Sequence, residues 1–338
     1  MRNRRVFLAL IFILGLTFSL HLMRSHVSSA PDFPIRAIVA GDTQVTIEVP
    51  TGASGSDVAS LLYENKIVKS SLAFFRVAVS DKRSDRVAPG AHRLTVGISA
   101  QQALDQLLDP TRIPNLIKVF EGAWKKEIVQ MMKAHGFSDT EIAKGFRAAV
   151  LPKGFSESEG LLFPAQYSFT ADTNATTVVQ AMIDRFTSEE TGTKILSAQG
   201  KYSPLQMLTI ASIVQAEGDA KDFSKVARVI FNRLSISMPL QMDSTVHYIK
   251  GSRGQIFLST TSTLIKSAFN TYKHVGLPPS PIGSPGVAAM NAVLNPAAGD
   301  WLYFITVAPG DTRFTRSNDE FVNWKHLYEK NRKAGAFK

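Results

Sequence analysis

The sequence predicts an α+β protein: an apolar N-terminal helix, a small β-α-α-β module, and a larger mixed α/β domain. Three observations predict it. An apolar run from Val6 to about Met23 opens the chain behind Arg2, Arg4 and Arg5. Next, short period-two alternation (Val45, Ile47, Val49) stands beside short helical spacing (Val58, Leu61, Leu62). Beyond residue 110, stretches with helical spacing are punctuated by strand-like runs, the last being WLYFITV at 301–307. The 338 residues leave room for two domains, and a hydrophobic fraction of 44% is ordinary for a folded chain.

The apolar run is just long enough to cross a bilayer, and the arginines before it hold residues 1–5 in the cytoplasm. Residues 6–23 are thus expected to be a transmembrane anchor. The alternative is a cleaved signal peptide ending near Val27-Ser28-Ser29-Ala30. Both readings export the rest of the chain. Residues 24–42, with Pro31 and Pro34, read as a linker. A strand from Thr43 to Pro50 and a Gly/Ser turn at 51–56 follow; no Lys stands at the spacing of a phosphate loop. Helices are expected at Ser56–Glu64, Leu72–Val79 and Ala100–Leu108, with a strand at His92–Val96. This module, residues 43–110, resembles a LysM-like domain, a fold used to hold amino-sugar polymers.

Residues 111–338 form the larger domain. Leu116–Phe120 reads as a strand, and Trp124–Ala134 as a helix with Ile128, Met131 and Met132 inward. A polar segment leads to EGLLFPAQY at 159–167, and Thr177–Phe186 is helical. The central stretch is SPLQMLTIASIVQAEG at 203–218. Ser203 caps a helix, Pro204 suits its first position, and Gln206 completes a capping box. Ile210, Ile213, Val214 and Glu217 then fall at i, i+3, i+4 and i+7, so a carboxylate stands on the apolar face. Burial there raises its pKa, as a general acid needs; the alternative is a frayed end pointing into water. Phe223–Leu234 is a helix with Val226, Val229, Ile230 and Leu234 inward and Asn232 and Arg233 beside that face. In LQMDST, Asp243 or Ser244 caps the next helix, or Gln241 and Asp243 project into a polar cleft. Asn270 and Tyr272 precede a rigid proline-rich loop at 276–282. Val287–Leu294 reads as a helix, Trp301–Val307 as a buried strand, and the tail from Asn323 as a basic helix.

The chain has no cysteine, hence no disulfide or thiolate metal site, and its seven histidines show no ligand-pair spacing. No metal and no cofactor is expected. A net charge of +10 suits an anionic lipid or wall polymer, and no nucleic-acid motif accompanies it. There is no G-x-S-x-G elbow and no S-x-x-K. What remains is one well-placed glutamate among Asn, Gln, Thr and Tyr at loop positions, an inventory suited to carbohydrate.

Residues 159–317 resemble the endolytic murein transglycosylase family (MltG, or YceG-like). The resemblance lies in EGLLFPAQY, ASIVQAEG at 211–218, FNRL with LQMDSTV at 231–246, NTY at 270–272, GLPPSPIGSPG at 276–286 and LNPAAGDWLYFITV at 294–307. It implies a membrane-anchored lyase that cuts nascent peptidoglycan strands internally and leaves anhydro-muramyl ends. Glu217 falls on the family's catalytic position. Gln241, Asp243, Asn270, Tyr272 and Asn232 are the candidate substrate-binding residues, and peptidoglycan synthases are candidate partners. Three positions depart from the family pattern: Gln215 replaces an acid, and Thr312 and Phe321 replace histidines. Two other readings stay open: a glycoside hydrolase using Asp243 or Asp219 as second carboxylate, and a non-catalytic wall-binding scaffold.

Overall fold

The computed structural model describes residues 30–50, 52–114, 116–169, 173–253, 259 and 261–337. The anchor expected at 6–23 lies outside the described residues. Among the described residues, no helix is long and apolar enough to cross a membrane. The chain divides into two compact units, Met1–Pro114 and Asn115–Lys338.

In the first unit, β1 (Gln44–Val49) pairs antiparallel with β2 (Gly90–Thr95), from Gln44 opposite Thr95 to Val49 opposite Gly90. Between them run α1 (Gly55–Glu64) and α2 (Ser71–Ser80), and α3 (Ala100–Leu107) follows. The Ser54–Asp57 and Ser99–Gln102 capping boxes start α1 and α3. Ile47, Leu62, Ile67, Phe74, Leu94 and Leu104 fill the core. The segment read as a linker is tied down where it is described. The Asp32 carboxylate accepts from the Ala100 amide at 3.0 Å, and Arg36 pairs with Asp42 at 2.8 Å.

The second unit is mainly helical. It runs β3 (Ile117–Lys118), α4 (Lys125–Ala134), α5 (Asp139–Ala148), β4 (Gln166–Tyr167), α6 (Ala175–Ser188), α7 (Glu190–Leu196) and α8 (Pro204–Glu217). Next come α9 (Phe223–Ser235), α10 (Asp243–Lys250), α11 (Val287–Leu294), the hairpin β5 (Tyr303–Ala308) and β6 (Asp311–Thr315), and α12 (Asn318–Lys333). Four details differ from the sequence reading. The polar segment holds α5, started by a Ser138–Glu141 capping box and buried only at Ile142 and Gly145. So narrow an apolar stripe hides the period. The strand expected at 116–120 pairs over two residues only. The strand expected to be buried at 301–307 is half of a two-stranded hairpin, and Val307 is the one buried residue on its own strand. Of the three residues expected inward on α4, Met131 is only half-buried.

Helix α8 is the centre of this unit, packed against α7, α9, α10 and α11. Its start follows the sequence: Ser203 Oγ accepts from the Gln206 amide and Gln206 Oε1 from the Ser203 amide. Its burial does not follow a single face. Seven consecutive residues, Leu208–Val214, are buried, so the helix is enclosed on all sides. Its two hydroxyls are satisfied internally: Thr209 Oγ1 donates to Leu205 O at 2.7 Å and Ser212 Oγ to Thr209 O at 2.8 Å. Tight packing also governs the corner before it. A Cβ on Gly192 of α7 would stand 1.9 Å from the Phe186 carbonyl oxygen of α6.

Candidate functional site

Glu217 is the last residue of α8, and α8's enclosure brings it to the edge of the core. The residue is half-buried. Burial, above all, pushes its carboxyl up to about 7, and the neighbouring Asp243 charge adds to the rise. Two groups oppose it. The Ser244 backbone amide, in the first turn of α10, donates to Glu217 Oε1 at 2.9 Å, and the Arg233 cation favours the ionised form. The Ser244 hydroxyl is close enough to oppose the rise, yet it makes no hydrogen bond of acceptable geometry.

Asp243 comes to Glu217 because two loops are clamped together by Thr271. The Met242 amide donates to Thr271 Oγ1 at 2.9 Å, and the Gln241 amide to Thr271 O at 3.1 Å. Thr245 Oγ1 lies 3.0 Å from Thr271 Oγ1. Tyr272, next in sequence, then donates its phenol to Asp243 Oδ1. Burial, and next that hydrogen bond, push the Tyr272 hydroxyl well above its ordinary value, so it stays a donor. Neither Asp243 nor Ser244 caps α10: the N-cap is Met242, and Asp243 lies in the first turn.

Arg233 lies on the core face of α9 and is 5% exposed. Its Nε donates to Leu302 O at 2.6 Å and its Nη1 to Leu240 O, while its guanidinium stands 5.4 Å over the Tyr303 ring. Phe321 stacks on Tyr303 at 5.2 Å, which is what the residue in the histidine's place does here. Thr312 pairs with Thr306 across the hairpin, hydroxyl to hydroxyl at 2.9 Å. Gln215 Oε1 accepts from the Gly286 amide at 2.9 Å and so ties the end of the proline-rich loop to α8.

The structure brings together Glu217, Asp243 and Tyr272 of the residues read from the sequence, and adds Arg233, Ser244 and Thr271. It keeps two apart. Asn270 is fully buried, its amide donating to Thr263 O and Ile265 O and its Oδ1 accepting from the Tyr272 amide. It braces its own loop. Asn232 donates to Trp301 O at 2.9 Å and to Gly299 O at 3.3 Å, which holds the approach to β5. Gln241 is exposed, with its backbone in the left-handed region at φ 48°.

A second buried carboxyl, Glu159, is 4% exposed and burial pushes it up to about 6. Its oxygens accept from the Lys125 amide at the start of α4 (3.0 and 3.3 Å) and from the Tyr248 hydroxyl at 2.9 Å. It is committed to capping a helix. Among the described residues Glu217 has one hydrogen-bond donor, on Oε1, and none on Oε2. Such a group, protonated near neutrality and partly open, can give a proton to a leaving oxygen and take one back.

The family model described as the YceG-like family matches residues 47–326. An endolytic murein transglycosylase of Bacillus subtilis (strain 168) is 32% identical over 309 residues, covering 85% of this chain and 85% of that protein. One from Streptococcus pneumoniae serotype 2 (strain D39 / NCTC 7466) is 28% identical over 313 residues, 82% of this chain and 57% of that protein. Among solved structures, the crystal structure of a yceG-like protein from Listeria monocytogenes matches with a TM-score of 0.54 at 26% identity. That likeness covers 84% of this chain and 99% of the other.

Proposed function

The chain belongs to the YceG-like family, and from that premise we propose that it is an endolytic peptidoglycan transglycosylase, a lyase with Glu217 as its catalytic acid and base. The observation that carries the reading is the place of Glu217 at the end of the enclosed α8, half-buried beside Asp243 and Tyr272, where burial raises its pKa. Protonated Glu217 gives its proton to the glycosidic oxygen as the C1–O bond breaks and positive charge develops on the muramyl ring. The resulting carboxylate takes the proton of that sugar's C6 hydroxyl while its oxygen bonds to C1, closing the 1,6-anhydro ring. One residue serves both halves, and no water is consumed. Asp243, held by Tyr272, supplies a negative charge that favours protonated Glu217 beforehand and the cationic ring in the transition state.

Asp243 also gives the hydrolase reading its one support, since a two-carboxylate mechanism needs a second acid near the first. Mass analysis of products from purified glycan strands separates the readings: anhydro ends for the lyase, reducing ends for the hydrolase, no cleavage for a scaffold. Asp243→Asn is expected to keep anhydro products and lose less than about 10²-fold in rate, less than a lost acid–base step. Reducing ends in the parent, with Asp243→Asn inactive yet folded, would establish the hydrolase instead.

The same reading assigns the rest of the chain. Residues 6–23 anchor it in the cell membrane with the N-terminus cytoplasmic, which places the enzyme within reach of the synthases that make its substrate and suits a terminator of strand elongation. Reporter fusions after residue 40 are expected to be active only outside the cytoplasm; cytoplasmic activity would refute this topology. The LysM-like module at 43–110 holds glycan. A groove of about 460 Å³ in the first unit, lined by Val49, Pro50, Phe74, Phe75 and Val87, supports that role.

A further inference from the structure

Helix α9 has a second working face. Arg233 falls on the stripe through Val226, Val229 and Ile230 that turns inward, whereas Arg228, Asn232 and Ser235 recur at i, i+4 and i+7 on another side. These three line a groove of about 550 Å³, together with Lys201, Tyr202 and Phe231. Met207, from the first turn of α8, also reaches it. Glu217 ends the same helix ten residues later, about 15 Å away at the helical rise, so the groove is separate from the candidate active site.

Its chemistry is one-sided. The only charged side chains lining it are Lys201 and Arg228, and among the described residues neither has a carboxylate partner. Arg228 is fixed in place, its Nε donating to Ala297 O at 2.5 Å and its Nη2 to Pro296 O at 3.5 Å. Among the described residues Nη1 has no hydrogen-bond acceptor. A guanidinium already held by carbonyls loses little freedom on binding an anion. Tyr202 leans on Phe231 with ring centroids 5.4 Å apart, giving the groove an apolar wall beside its two cations. Asn232 spends its Nδ2 on the 299–301 backbone, which turns the rest of that amide into a fixed acceptor.

We propose that this groove is a second binding site, which takes carboxylate-bearing peptide, namely the stem peptides carried on peptidoglycan. The inference rests on the function proposed above. The sugars of that substrate class are largely neutral, and the stems supply the carboxylates, short apolar side chains and amide donors that Lys201, Arg228, Tyr202 and Asn232 complement. Engaging a stem away from the scissile bond adds affinity through the strand that joins the two sites.

The test uses the full chain carrying Glu217→Gln, so that binding is read without cleavage. Three probes are titrated calorimetrically: a synthetic stem peptide, the same peptide with its carboxylates amidated, and a neutral N-acetylglucosamine oligomer. The stem peptide is expected to bind, amidation to weaken it at least tenfold, and Lys201→Glu to do the same while binding of the neutral sugar oligomer is unchanged. Lys201 is exposed, so this variant spares the fold; Tyr202→Ala gives a second reading of the wall. Equal binding of the amidated peptide, no binding, or indifference to Lys201→Glu would overturn the site. Tighter binding of a single-stranded oligonucleotide than of the peptide would overturn it too, in favour of a polyphosphate ligand. Cleavage of stripped strands by the parent enzyme is scored separately, so failure of the lyase reading is not mistaken for failure of the groove.

Discussion

Glu217→Gln is expected to lower strand cleavage by about 10²–10⁴-fold, the worth of an acid–base step, while leaving the protein more stable than its parent above neutral pH. The two effects share a cause. Glutamine keeps the size and the acceptor for the Ser244 amide but can neither give nor take the proton. In the parent, the folded carboxyl has its pKa near 7, above the ordinary value of 4.5, because burial opposes ionisation. The folded state therefore holds the proton more tightly than the unfolded chain. Its stability is fullest below about pH 4.5 and falls as the pH climbs from there to about 7, where a poorly solvated charge is forced on the fold. Glutamine suffers no such loss. Thermal melts are expected to show the variant's advantage growing between pH 5 and pH 8, and the parent's cleavage rate to decline above pH 7. A variant that loses ground to the parent as pH rises would show that Glu217 is ionised throughout. That would remove it as the acid.

Gly192→Ala is expected to cost about 3 kcal/mol or more, with no group near Glu217 touched. The methyl would stand 1.9 Å from the Phe186 carbonyl oxygen, a backbone atom that cannot swing aside like the end of a side chain. Relief requires α6 and α7 to part, and Phe186 and Ile195, both fully buried, part with them. Denaturant unfolding is the measure. A loss under about 1 kcal/mol would mean that this corner relaxes far more readily than a packed interior does.

These two residues also show what could be read in advance. Glu217 was legible because helix signals converge on it: a capping box, a proline at the first position and an apolar period that ends on an acid. The reason given for its burial was incomplete, since α8 is enclosed on every side and its polar Thr209 and Ser212 bond within the helix. Arg233 was equally available. From Val226 the pattern i, i+3, i+4, i+7 lands on 233, not on Leu234, so Arg233 stands on the stripe where the sequence reading set it beside the stripe. The Thr271 clamp and the bracing by Asn270 had no such signal. The clamp depends on loops 29 residues apart meeting in space, and the bracing on an irregular loop folding back on itself, neither of which a local period encodes. Gly192 likewise stands in an unremarkable run, and only the crossing of two helices explains it.

Because the acid terminates a helix sheathed in protein from Leu208 to Val214, its position is tied to the most cooperative part of the unit. Amides there exchange with solvent only when that whole unit opens, whereas those of exposed loops exchange through small local excursions. On the proposed function, an arriving strand would meet a proton donor that does not travel. Any adjustment to the bend of the sugars must come from the opposite wall, where α10 and the Thr271 loop are joined by a handful of hydrogen bonds. On that proposal, adaptation to strands of different decoration would fall to residues 241–245 and 270–272, and the fixed end of α8 would set the one coordinate that the chemistry does not allow to vary.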